Sequence, residues 1–145
     1  MRPRLFVLLA LLTLFGCGKP YKVASVSGRV TLDGKPLAKA SVSFVPMATK
    51  ENLNPGPTAQ DLTDADGRFT LSLSTAPPTP GSVVGKCRVY ISTILSDPVT
   101  DDRDAGGPVK RVRDKVPDRY NKKTELVFDV PAGGTDLANF DLTSR

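Results

Sequence analysis

"VSGRVTLDGKPLAKASVSFVP", residues 26–46, carries the pattern from which the fold follows. Val26, Gly28, Val30 and Leu32 fall on one face of an extended chain, and Ser27, Arg29 and Thr31 fall on the other. That period of two belongs to a half-buried strand and not to a helix. Asp33-Gly34 follows as a hairpin turn signal, since both residue types tolerate positive φ. Alternation then resumes, with Ala40, Val42 and Phe44 inward and Ser41 and Ser43 outward.

The same period extends along the chain. "TDADG" at 63–67 is a second tight turn, and it leads into "RFTLSLS", where Phe69, Leu71 and Leu73 share a face. "CRVYISTIL" at 87–95 is the longest β-branched run and reads as a central strand. "ELVFDV" aligns Leu126, Phe128 and Val130, and "LANFDLT" aligns Ala138, Phe140 and Leu142. With a weaker strand at 59–63, seven strands are expected, and no stretch carries a helical stripe. Thirteen prolines and twelve glycines, scattered without period, agree with many turns between short elements. Short strands with one apolar face each are satisfied by two sheets packed face to face, a closed barrel being the alternative. Phe44, Phe69, Phe128 and Phe140 are expected in the core.

Residues 26–46 together with "TDADGRFTL" resemble the carboxypeptidase regulatory-like domain, a seven-stranded Greek-key β-sandwich of transthyretin-like (prealbumin) type. The likeness rests on Gly28 and Val30, the Gly34-Lys35-Pro36-Leu37 turn, Ala40 and Val42, and Asp64, Asp66, Gly67 and Phe69. "VPDRYNKKTELVFDV" and "ANFDL" are also similar to small bacterial lipoproteins carrying this domain. The resemblance covers nearly all of residues 23–145, and its motifs, being turn glycines and core positions, are specific for fold. It implies a non-catalytic appendage, because the family's domains are mostly that. The transthyretin-like fold also hosts a hydrolase of hydroxyisourate that uses histidines and a C-terminal Tyr-Arg-Gly-Ser. This chain has no histidine and ends Leu142-Thr143-Ser144-Arg145, so that activity does not carry over.

Upstream of the domain stands "MRPRLFVLLALLTLFGC". Arg2 and Arg4 precede an apolar run from Leu5 to Phe15, which as a helix would cover roughly 17 Å of a hydrocarbon core about 30 Å thick. The shape is that of an export signal. Leu14-Phe15-Gly16-Cys17 resembles the lipobox of bacterial lipoproteins. It implies a diacylglycerol on the Cys17 sulfur, cleavage before Cys17 and acylation of the new amine. Two or three chains anchor durably, at about 0.8 kcal/mol per buried CH₂. An ordinary secretory signal with an incidental cysteine is the alternative. The expected organisation is a signal peptide over 1–16, an acylated cysteine and tether over 17–22, and the sandwich over 23–145. The lipid bilayer is then a partner through Cys17. Gly18 stands where two-membrane bacteria place the Asp that retains lipoproteins at the inner membrane, which points to the outer membrane.

Acylation of Cys17 would leave Cys87, the second of two cysteines, without an intrachain partner. Lacking a histidine base, Cys87 is expected as a small core residue and not as a nucleophile. No set of Cys and His for zinc exists, and no Gly-rich phosphate loop precedes a helix. In an EF-hand register, "DADG" would put Leu62 and Leu73 at ligand positions, so it reads as a turn. No cofactor is expected.

The segment 96–123 is expected as a long loop. From Arg103 to Lys123 it holds eight basic residues against Asp104, Asp114 and Asp118. Lys110, Arg111, Arg113, Lys115, Arg119, Lys122 and Lys123 are candidate contacts for an anionic surface, either headgroups beneath the tether or acidic glycans. A solvated loop kept soluble by its charge is the plainer account. Tyr120 is the only aromatic among these charges, too little for nucleic-acid stacking. The expected function is a membrane-anchored envelope protein whose non-catalytic sandwich binds or scaffolds, with an envelope protein or glycan as partner. A small envelope enzyme and a self-associating architectural unit are the alternatives.

Overall fold

The computed structural model describes residues 20–94 and 113–145. Cys17, Lys110 and Arg111 lie outside the described residues. The chain folds as an all-β, sandwich-like body. Among the described residues the strands are β1 (Val23–Ala24), β2 (Ser27–Leu32), β3 (Lys35–Pro36), β4 (Ser41–Pro46), β5 (Ala59–Leu62) and β6 (Arg68–Thr70). They continue with β7 (Ser72–Leu73), β8 (Thr79–Pro80), β9 (Ser82–Val83), β10 (Gly85–Ser92), β11 (Val127–Val130) and β12 (Phe140–Leu142).

One sheet runs β11-β10-β4-β5-β7-β8. The other runs β12-β2-β3, with β6 also paired to β2. A separate two-stranded ribbon, β1-β9, closes one end. The segment "RFTLSLS" belongs to both large sheets: β6 pairs with β2, and two residues later β7 pairs with β5. At the crossing point Leu71 donates its N–H to Val26 O at 2.9 Å and is completely buried. One strand thus turns the corner between sheets, and its alternation keeps Phe69, Leu71 and Leu73 pointing inward throughout.

The core lies between the sheets. Phe44 from β4 meets Phe69 and Phe140 of the opposite sheet at centroid distances of 6.5 and 6.0 Å, and Phe128 of its own sheet at 5.6 Å. Phe44, Phe69 and Phe140 are buried, and Phe128 is half-buried against the same cluster. Tilted and edge-on contacts of this kind add about 0.5–1.5 kcal/mol per pair beyond the area they bury. Cys87 is fully buried in the same core. Burial pushes its thiol above the ordinary value; the neighbouring Ser82 hydroxyl opposes the rise without making a hydrogen bond of good geometry.

The turns follow local chemistry. Asp33 and Gly34 have φ of 51° and 77°, and Leu32 pairs with Lys35 across them, a two-residue hairpin of the type that suits strand twist. In "TDADG" the Asp64 carboxylate accepts the N–H groups of Asp66 and Arg68, both at 2.9 Å, which is what closes the turn.

Two differences from the expected elements bear on the site. β10 begins at Gly85 and ends at Ser92, short of Leu95, because the chain there turns to meet Asp114. Ser41, expected outward, is buried beside Leu62 and Ser92 on the neighbouring strands.

Candidate functional site

β10 spans eight residues, about 23 Å end to end at ~3.3 Å per residue, and it defines two poles of the body. At its Gly85 end, Val84 donates its N–H to Lys22 O at 2.9 Å, and β1 pairs with β9 just before it. This near pole is where the chain enters the fold, at Tyr21 and Lys22. The Ser92 end of β10 meets Asp114, and the β2-β3 hairpin and the C-terminus gather at the same far pole.

At the near pole a groove of about 410 Å³ is lined by Tyr21, Lys22, Met47, Val83, Val84 and Lys86 among others. Its outer wall is the loop between β4 and β5. Met47 donates its N–H to Lys86 O at 2.9 Å, pinning the loop's start to β10. Asn52 donates its N–H to Thr49 Oγ1 at 3.1 Å and closes a turn at the tip. Gly56, at φ 118°, brings the returning backbone against the Tyr21 ring; a Cβ there would lie 3.0 Å from Tyr21 Cδ1. Leu53 stands on this loop 83% exposed. A second, shallower hollow of about 250 Å³ adjoins the groove and is lined by Val45, Met47, Arg88 and Tyr90 among others.

The far pole holds the described part of the basic segment. Residues 113–123 are arranged around one carboxylate. Asp114 accepts from Ser92 Oγ at 2.6 Å, Thr93 N at 2.9 Å, Thr93 Oγ1 at 2.8 Å, Val116 N at 3.0 Å and Asn121 Nδ2 at 2.9 Å. Partial burial works to raise the Asp114 pKa, but the bonds from Ser92, Thr93 and Val116 outweigh it and hold the carboxyl below its ordinary value. A 3-10 turn, Asp118–Tyr120, follows, and Thr124 Oγ1 returns the chain to Val89 O at 2.7 Å.

The sequence-predicted cations divide by role. Arg119 clamps the C-terminal segment: its guanidinium donates to Thr143 Oγ1 at 2.8 Å and to the carbonyls of Thr143 and Arg145, and it lies over the Tyr120 ring at 4.7 Å. The hydrogen bonds with Thr143 and Arg119 lower the Tyr120 pKa. Lys122 approaches Asp118 at 3.8 Å, an exposed pair of little energetic weight. Arg113, Lys115 and Lys123 are exposed and have no ion-pair partner among the described residues. Asp114, which in the sequence is one acid among many bases, organises the segment. Nothing in the sequence sets Asp114 apart from Asp104 and Asp118 in the same basic run.

Chemically, the near pole offers an apolar hollow edged by ammonium groups, and the far pole offers exposed cations on a firmly folded base. Among the described residues no three of His, Cys, Asp and Glu gather into a group that could hold a metal. The chain matches no family model, no curated protein and no solved structure.

Proposed function

We propose that this chain is an envelope lipoprotein, anchored through acyl chains on Cys17, whose non-catalytic sandwich serves as a binding or scaffolding domain. The observation that carries the reading is how early the fold begins. Tyr21 already packs on the core, and Lys22 is already hydrogen-bonded to Val84. Cys17 therefore stands only three residues before Pro20, a length of at most about 11 Å when fully extended. A lipid on that sulfur would hold the body at a bilayer, the outer membrane where the host has one.

A transthyretin-like Greek-key arrangement is supported by the strand order. Taking the seven expected segments in turn, the large sheet contains the third, second, fifth and sixth, its partner contains the first and seventh, and the fourth crosses from the partner sheet into the large one. Several consecutive segments thus change sheets by long connections, as Greek-key chains do. A binding role is supported by Arg113, Lys115 and Lys123, presented on a rigid base to an anionic glycan or protein of the envelope.

Mass spectrometry of the protein isolated from cells tests the anchor. The expected product begins at Cys17 and carries the mass of a diacylglycerol, and Cys17→Ser moves the domain to the soluble fraction. A bare thiol at Cys17, or an uncut amino terminus, overturns the reading.

A further inference from the structure

We propose that the near pole is the face that rests on the bilayer, with the loop between β4 and β5 dipping into the headgroup layer and the basic far pole turned away. This rests on Cys17 being the lipid anchor and adds which face the anchor brings down.

Three independent features of the molecule converge on that pole. The first is reach. With at most about 11 Å of chain between Cys17 and Pro20, and Tyr21 and Lys22 fixed to the body, the near pole cannot be far from the anchored sulfur. The second is apolar exposure. Leu53 sits on the loop at 83% exposed, and Met47 lines the groove beside it. An exposed leucine alone means little, but one beside an apolar hollow next to the anchor fits a surface with its own apolar layer. The third is charge. Lys22, Lys50, Lys86 and Arg88 are exposed around the groove and loop, and the acids among them are Glu51 and Asp129, the latter opposite Lys86 on β11. The balance is modestly positive, and each cation near an anionic leaflet contributes about 1 kcal/mol.

The same geometry argues against the far pole as the lipid contact. Lys115 stands beyond the Ser92 end of β10, roughly 23 Å from the end that meets Lys22. The Debye length at physiological ionic strength is about 8 Å, so cations at that distance feel little of the leaflet's potential. The partner of the near pole is therefore an anionic lipid surface, and the far pole stays available to the envelope.

The chain contains no tryptophan, so one introduced indole is a unique depth reporter. The full acylated chain, with Leu53→Trp in one sample and Lys115→Trp in another, is reconstituted into phosphatidylglycerol-containing vesicles with brominated acyl chains. The expected result is a blue-shifted emission for Leu53→Trp, quenched severalfold more than Lys115→Trp. Ala48→Trp, also exposed at the near pole, repeats the measurement should Leu53→Trp misfold. Equal quenching at both poles, stronger quenching at Lys115→Trp, or none at either overturns the proposal. Intact mass of the same samples reports the anchor separately. If Cys17 proves bare, the lipoprotein reading falls, and the contrast is read instead with vesicles at low salt. There, quenching of Leu53→Trp still supports the face and its absence still overturns it.

Discussion

Gly28 lies in β2, and a Cβ at that position would stand 2.0 Å from Ala138 O. The chain leading into β12 crosses directly over it. Gly28→Ala must push β2 and that crossing segment apart, a cost of about 1–3 kcal/mol, read as a lower urea midpoint. Asp114 makes the opposite point, since it is needed for what it accepts. Asp114→Ala strands donors from Ser92, Val116 and Asn121 and is expected to cost about 2–3 kcal/mol. Its carboxyl is held below the ordinary value, so the folded state favours the charged form. That stabilisation is complete above the unfolded pKa and is lost as pH falls through the lowered folded value. Thermal melts between neutral pH and pH ~2 should show a shallower acid limb in Asp114→Ala than in the parent chain.

Among the elements, turns and corner strands were unequally legible. The Asp33-Gly34 hairpin is local, and two adjacent residues determine it. Gly34, at φ 77°, has nothing within 4 Å of the place a Cβ would occupy. Gly34→Ala therefore meets no clash and costs only the left-handed backbone, about 1–2 kcal/mol. Gly34→Asn should recover much of that loss in urea denaturation, because asparagine visits the left-handed region more readily. At Gly28 the obstacle is collision, so no such replacement helps. The corner made by β6 and β7 is different. Its alternation is uninterrupted from Phe69 to Leu73, and nothing local says that hydrogen-bond partners change from β2 to β5 midway. The segment 113–124 reads as loop because its anchoring contacts are to Ser92, Thr93 and Val89, more than twenty residues earlier in the chain.

For the molecule as a whole, the two ends of β10 give the body a direction. The near pole has a groove and an exposed leucine close to the predicted anchor, and the far pole has exposed cations and the clamped C-terminus. Cys87 provides a global readout of this body. It is buried and its thiol is raised by that burial, so it reacts only when the sandwich opens. In the acylated form, native protein should take up no maleimide, and urea-unfolded protein should become labelled at Cys87 alone. Labelling of the native state would report a bare Cys17 sulfur.

Neighbouring residues alone set the class of fold and the inward face of most strands, because a period of two and a two-residue turn are properties of short stretches of chain. That period already put Gly28 and the four phenylalanines on apolar faces. Long-range contacts decided which phenylalanines meet, why a backbone from the other end of the chain requires a glycine at position 28, and that Asp114 centres a network. They also put the described part of the basic segment and the chain's entry point at opposite poles. Such features join residues far apart in sequence, where burial and hydrogen-bond satisfaction select one arrangement and no local pattern records it.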